Sequence, residues 1–390
     1  MNGKKAALYS EYIIDGIRCP VSPARMLDEV LVPRKTVLAE EAGYEPVVDE
    51  TADPSPGVSE FDPARLDDYL ARTRELQAVP RDCPAVFAEP FTKSRIAKAL
   101  LDTVWMKGRF RLGDLTLAAR WKWNTGKLGS MAAFYASAQA TAEFIEGLGI
   151  GLAGYSFTES TAGNRVSFKV AAALRQEEDA QIEDPEADIE LEGASPFGSE
   201  HPVIGRRRAC PDKLAADPGS WIIYVPFDTC KYRLGGSLLA AAEGSEGNVF
   251  PEIGDGDYFM DCYELVRELV EDGILLSGAT VGDGGLITAL DAMCSPETGA
   301  EIDISGIQQA CKEGKQLRVL FGEVPGVLLQ IHDGDYDYFD AEFLLQDVAY
   351  YPVGHPQRGG GGVSVRADGN PGISDILLSL LGSQASEGED

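Results

Sequence analysis

The sequence predicts layered domains of mixed strands and helices, α/β or α+β, on three observations. Strand and helix patterns alternate through the second half. Trp221 to Phe227 reads as a buried strand and Tyr258 to Asp272 as a strongly amphipathic helix, followed by strand candidates at Ile274 to Leu276, Glu301 to Ile304 and Val327 to Ile331. The length of 390 residues gives room for two or three domains with sizeable cores. A hydrophobic content of 44% places the chain among folded rather than disordered proteins.

In chain order, an apolar piece from Tyr12 to Ile17 precedes a proline-rich acidic run, Glu40 to Glu60, which reads as a surface linker. Phe61-Asp62-Pro63 opens a short helix through Leu66, Tyr69 and Leu70. Ile96, Ala99, Leu100 and Val104 recur at helical spacing. Ser130 is expected to cap a longer helix with Met131, Phe134, Tyr135, Ala138, Ala142 and Ile145 on one face, ended by Gly147 and Gly149. Between these helices, Arg120-Trp121-Lys122-Trp123 reads as packed aromatics rather than a base-stacking platform.

Val166 to Leu174 alternates as a strand, and Gln176 to Glu192 reads as a solvated acidic loop. Arg206-Arg207-Arg208 is expected to balance neighbouring carboxylates. The helix at 258–272 buries Phe259, Cys262, Tyr263, Val266, Leu269 and Val270, and Gly273 closes it. From Leu276 to Met293 a glycine turn feeds a helix with Leu286, Ile287, Leu290 and Met293 on one face and Asp283 placed to cap it. Its glycines either admit a phosphate at the first turn or only make a tight turn into a core helix. After His355 the chain passes through Gly359 to Gly362, offers an apolar segment at Ile373 to Leu381 and ends acidic.

A net charge of −29 argues against a nucleic-acid backbone or an anionic membrane as partner. Seven cysteines without a C-x-x-C pair fit reduced, packed thiols, and three histidines without ligand spacing make a zinc site unexpected. With no secretory signal and no run able to span a bilayer, a cytoplasmic or organelle-matrix protein is expected, not a secreted one.

Four stretches then follow one another in a recognisable order: Tyr232-Arg233-Leu234-Gly235-Gly236-Ser237-Leu238-Leu239-Ala240, the helix at 258–272, Ser277 to Met293, and Leu320-Phe321-Gly322-Glu323-Val324-Pro325-Gly326-Val327-Leu328. Their series resembles the second of two internal repeats in phosphoribosylformylglycinamidine synthase, the ATP- and glutamine-dependent amidotransferase of purine synthesis. Each repeat is a pair of domains similar to aminoimidazole ribonucleotide synthase. Ile96 to Asp102, Trp121-Lys122-Trp123 and Gly147-Leu148-Gly149-Ile150 look like the preceding domain of that repeat. Met26 to Thr36 looks like the linker that enters it, and Tyr350 to Asp390 like the stretch that leaves it.

The resemblance implies a two-domain α+β fold of PurM-like N- and C-terminal domains. Its expected divisions are an extension and linker at 1–80, the first domain at 81–215 with the acidic loop at 176–192, the second at 216–357, and a glycine-rich acidic tail at 358–390. It also implies a degenerate nucleotide site. The first repeat, which carries the catalytic ATP site in that family, and the glutaminase domain are not expected within 390 residues.

Where the family has Gly-Lys-Asp-Ser, this chain has Gly154-Tyr155-Ser156-Phe157. Lys98 and Asp102 replace a Glu and an Asn, and Ala279-Thr280-Val281-Gly282-Asp283-Gly284-Gly285 replaces His-Asp-x-Ser-Asp-Gly-Gly. A magnesium nucleotide needs several hard oxygen ligands, and a lysine in that shell repels the ion.

The expectation is therefore a pseudoenzyme with no catalytic residue and no cofactor. Gly235, Gly236, Ser237, Asp283, Gly284 and Gly285 remain as vestigial nucleotide or phosphate positions, the first three either cradling phosphate or permitting close packing. Asp102 and Asp283 are weak metal candidates, set against an ion pair with Lys98 and a helix cap. His332 and His355 receive no catalytic role. A lone repeat exposes a sheet edge of its first domain, so a homodimer or a protein partner is expected there.

A structural or assembly subunit is the leading function. One alternative is the auxiliary half of a purine-synthesis enzyme using ATP or ADP with magnesium. Another is a module that binds a phosphorylated ligand without turnover.

Overall fold

The computed structural model describes residues 6–32, 63–108, 110–172, 191–192, 203–204, 206–244 and 249–366. The proline-rich run, nearly all of the acidic run at 176–192 and the apolar segment at 373–381 lie outside them. The chain begins with α1 (Ala6–Tyr9), a small hairpin of β1 (Ile13–Ile14) and β2 (Ile17–Arg18), and α2 (Pro23–Glu29). After 62 comes α3 (Leu66–Gln77), whose Leu66, Tyr69, Leu70 and Thr73 are buried at helical spacing.

The first domain holds α4 (Ala88–Val104), β3 (Leu115–Trp123), α5 (Ser130–Gly147), β4 (Gly151–Glu159), β5 (Arg165–Ala172) and the short β6 (Leu191–Glu192) and β7 (Val203–Ile204). Its five strands run in the order β4-β3-β5-β7-β6, with β3 parallel to β4 and antiparallel to β5. Trp121 and Trp123 are fully buried, and Lys122 between them points out. Each indole is satisfied: Trp121 Nε1 donates to Ser137 Oγ at 2.9 Å and Trp123 Nε1 to the Ser130 carbonyl at 2.7 Å. These tryptophans are core, as their pattern predicts, although sequence reasoning assigned them no strand. The first five residues of β3 are buried without a break, which hides the period of two.

Ser130 does not cap α5. Gly129 holds the cap position with φ +76°, and the Ser130 hydroxyl bonds Asn164 Oδ1 at 3.0 Å.

The second domain is built from β8 (Trp221–Pro226), α6 (Leu238–Ala242), α7 (Gly256–Glu271), β9 (Leu275–Val281), α8 (Gly285–Met293), β10 (Thr298–Ile302), α9 (Ser305–Cys311), α10 (Gln316–Phe321), β11 (Gly326–Ile331), α11 (Tyr336–Leu345), β12 (Tyr351–Arg358) and β13 (Val363–Val365). Its six strands run β13-β10-β12-β8-β11-β9. The central strand β8 serves two cores. Ile223 and Val225 face a cluster shared with α7 and the first domain, whereas Ile222 and Tyr224 face a second cluster under α8 and α10.

Leu66, Tyr69 and Leu70 of α3 belong to that second cluster, so part of the expected extension is structural. The start of the tail is likewise in the sheet, where β13 runs parallel to β10. Among the described residues, no helix is long and apolar enough to cross a membrane.

Candidate functional site

The first cluster runs without interruption from α4 and α5 to α7 and β11, so the two domains meet across a shared core. At one edge of that junction the two glycine loops, 235–237 and 282–285, come together around Glu323. Its Oε1 accepts the Leu238 N–H at 2.8 Å and the Gly284 N–H at 2.9 Å. One carboxylate thus takes donors at the beginnings of both α6 and α8, where an anion is favoured. Glu323 Oε2 in turn accepts Arg81 Nη1 at 2.6 Å, and its side chain is only 5% exposed.

Asp283 does not cap α8. Gly284, at φ +84°, occupies the cap position, and the carboxylate is drawn instead to two arginines. Arg95 binds it through both oxygens, at 2.7 and 2.6 Å, and Arg81 Nη1 adds a bond of 2.5 Å. Burial would raise the Asp283 pKa, but the charges and hydrogen bonds of Arg95 and then Arg81 outweigh it and hold the carboxyl at about 2. Both guanidiniums also lie over the Phe91 ring, 5.2 Å from its centroid for Arg81 and 4.6 Å for Arg95. Arg81 completes the knot by donating to the Gly236 carbonyl.

Gly235 and Gly236 are needed by packing. A Cβ on Gly235 would lie 2.1 Å from the Val249 carbonyl oxygen, and Gly236 sits at φ +65° against Phe250 and Phe87. Ser237 caps α6, accepting the Ala240 N–H at 3.1 Å, while its hydroxyl donates to the Leu234 carbonyl at 2.8 Å. Gly285 lies against the Leu320–Phe321 backbone, with a Cβ position 2.7 Å from the Leu320 oxygen.

Asp102 pairs with Lys98 at 2.8 Å, one helical turn away on α4. The Lys98 stem packs over Gly282, its Cδ 3.3 Å from where a Cβ would stand, so this cation faces the site. Thr280 Oγ1 accepts Trp105 Nε1 at 2.9 Å.

These residues do not fit a magnesium nucleotide. Both oxygens of Asp283 are engaged by guanidiniums, Asp102 is neutralised by Lys98, and a divalent cation would stand among positive charges. Cys83, next to these arginines, is no nucleophile, because burial outweighs them and pushes its thiol up to about 12. His332 and His355 lie elsewhere, bonded to Asp217 and to the Ser220 carbonyl.

Beside the knot opens a cleft of about 440 Å³ whose lining includes Arg81, Arg95, Lys98, Arg120, Lys122 and Arg165. Sequence reasoning missed Arg81, Arg95 and Glu323 as a unit. Glu323 stands in the recognised Leu320-to-Leu328 stretch, but Arg81, 242 residues earlier, and Arg95, on α4, lie in no motif.

Residues 217–355 match the family described as AIR synthase related protein, C-terminal domain. The chain is 26% identical over 279 residues to the probable phosphoribosylformylglycinamidine synthase, chloroplastic/mitochondrial, of Arabidopsis thaliana, an alignment covering 68% of this chain and 18% of that protein. Residues 217–355 are thus similar to the AIR synthase related C-terminal domain, and most of the chain is similar to part of phosphoribosylformylglycinamidine synthase. The Homo sapiens synthase is 23% identical over 271 residues, covering 67% of this chain and 18% of the human protein. The chain thus spans less than a fifth of the length of these curated relatives. Among solved structures, Thermotoga maritima PurL complexed with FGAR superposes with a TM-score of 0.51 at 14% identity, covering 71% of this chain and 41% of that one, a likeness of fold. The α+β expectation therefore holds, in a fold similar to that of PurL.

Proposed function

We propose that this chain is a non-catalytic structural or assembly subunit of the phosphoribosylformylglycinamidine synthase lineage, serving purine biosynthesis without magnesium-dependent phosphoryl transfer. The observation that carries the reading is the Arg81–Asp283–Arg95 knot. The acid that would hold a metal is clamped by two guanidiniums, and the helix N-termini that would meet phosphate are already turned onto Glu323.

The partner is proposed to meet the first domain at β4, the outer strand of its sheet. Among the described residues, the far edge of β4 is engaged only at its start, where Val32 N–H donates to the Leu152 carbonyl and Leu152 N–H to that of Val30. The compartment proposed is the cytoplasm or an organelle matrix.

Calorimetric titration with ATP in magnesium, paired with an assay for phosphate release, tests the absence of turnover. The expected result is no hydrolysis and no binding component that chelating magnesium removes. Magnesium-dependent binding in the micromolar range with turnover would overturn the proposal.

A second reading, an auxiliary half working beside a separate catalytic chain, is favoured by the far greater length of the relatives. Co-purification with a catalytic repeat and a glutaminase from the native source would select it.

A further inference from the structure

Helix α11 is apolar on two faces. Phe339 and Phe343 are fully buried in the core, whereas Tyr338, Leu344 and Leu345 are 47%, 71% and 83% exposed and Ala341 is exposed beside them. Tyr338, Ala341 and Leu345 follow one another at i, i+3 and i+7, and Leu344 stands three residues beyond Ala341, so the four form one outer surface. A helix that is apolar all round belongs between two layers.

The sequence holds one stretch suited to the second layer. In Ile373 to Leu381, which lies outside the described residues, Ile373, Ile376, Leu377, Leu380 and Leu381 recur at i, i+3, i+4, i+7 and i+8. That is one stripe of a helix, with Asp375 and Ser379 on the opposite side. As a helix the nine residues would be roughly 14 Å long, against roughly 15 Å for α11.

We propose that Ile373 to Leu381 forms a helix seated on Tyr338, Leu344 and Leu345 of the same chain. The chain leaves β13 on the sheet face that α11 covers. Arg366 Nη2 donates to Glu301 Oε2 at 3.2 Å, and Glu301 is in register with His355. The His355 ring centroid lies 4.2 Å from that of Trp221, which lies 5.2 Å from that of Tyr336 at the start of α11. Three strand spacings, about 14 Å, separate β13 from β8, and residues 367–372 reach about 20 Å.

A second copy of the protein is the competing occupant. A tether of six residues holds the segment near α11 at an effective concentration in the millimolar range, on the order of a thousand times a micromolar second copy. Charge points the same way. Two copies meeting through α11 would oppose Asp337, Asp340 and Glu342 to themselves, whereas the segment brings one acid, Asp375, turned away from its stripe.

Hydrogen exchange of the full chain, with light scattering for its mass, tests the docking. The amides of 373–381 are expected to exchange about tenfold or more slowly than those of 383–390, once corrected for intrinsic rates, in a monomer. Leu344→Ser with Leu345→Ser is expected to remove that difference and to leave the protection of α4, α5 and α7 unchanged, because both leucines lie outside the core. Leu377→Ser with Leu380→Ser should remove it from the other side, and all four substitutions together should do no more than either pair.

Unprotected amides at 373–381 in the parent chain would overturn the proposal. So would protection that survives Leu344→Ser with Leu345→Ser, which would seat the segment elsewhere. Protection that disappears on dilution together with a dimeric mass would assign the surface to a second copy and overturn docking within one chain.

Discussion

Arg81→Ala is expected to destabilise the protein by about 3 to 5 kcal/mol, the cost of removing one partner from a buried ion pair. The Arg81 side chain is 14% exposed and joins Glu323, Asp283 and the Gly236 carbonyl, groups from three separate stretches of chain. Without it Glu323 keeps two backbone N–H donors but loses its only ion-pair partner among the described residues, in a position closed to solvent. Asp283 keeps Arg95, so the larger penalty falls on Glu323.

Chemical denaturation checks this as a lower midpoint at unchanged slope. Lys98→Ala is the comparison. It breaks a half-exposed i,i+4 pair on α4 and is expected to cost about 0.5 kcal/mol or less. If Arg81→Ala proved as mild as Lys98→Ala, the knot would not be what holds the two glycine loops together.

The same knot sets a pH dependence. The Asp283 carboxyl titrates at about 2 in the folded protein, below its ordinary value of 3.8, so the folded state prefers it ionised. Its contribution, about 2 kcal/mol, is complete above the unfolded value and is lost as pH falls from about 4 towards about 2. Asp283→Asn is expected to lower stability at neutral pH and to flatten the acid limb of the stability curve between those values. An unaltered acid limb in the variant would assign that limb to other carboxylates.

What the sequence made legible was whatever repeats within one element. The helices at 88–104, 130–147 and 256–271 announce themselves through spaced apolar residues, and β8 and β11 through short apolar runs between turn residues. The paired glycines and the Leu320-to-Leu328 stretch carried the family resemblance.

Hidden were strands whose burial does not alternate cleanly, β3 and β4, and every interaction that joins distant stretches. Asp283 shows why. Its place before a glycine turn and an apolar run is that of a helix cap, and local chemistry alone favours that reading. Two arginines from 188 and 202 residues earlier outcompete it, because a bidentate charge-assisted contact is stronger than a cap bond. The cleft was hidden for a related reason. Arg120 and Lys122 are visible as charges, but their convergence with Lys98 and Arg165 exists only once α4 packs against the sheet.

Gly235→Ala is expected to show that this glycine serves the backbone rather than a ligand. The added methyl would stand 2.1 Å from the Val249 carbonyl oxygen and 2.4 Å from its carbon, main-chain atoms that no rotamer change can move aside. The Gly235 N–H also donates to that carbonyl at 2.8 Å, so any shift that relieves the clash stretches a hydrogen bond as well. Overpacking of this kind costs about 1 to 3 kcal/mol when side chains can adjust, and backbone against backbone places the expected loss at about 3 kcal/mol or above.

Gly306→Ala supplies the contrast. It lies in α9, where an added Cβ meets nothing within 4 Å, and it is expected to be neutral or to stabilise by up to about 1 kcal/mol through lower entropy of the unfolded chain. Pyrophosphate titration separates the two roles of Gly235: if the loop cradled phosphate, Gly235→Ala would weaken pyrophosphate binding even under conditions where the variant remains folded, whereas if the glycine serves the backbone the whole effect appears in stability.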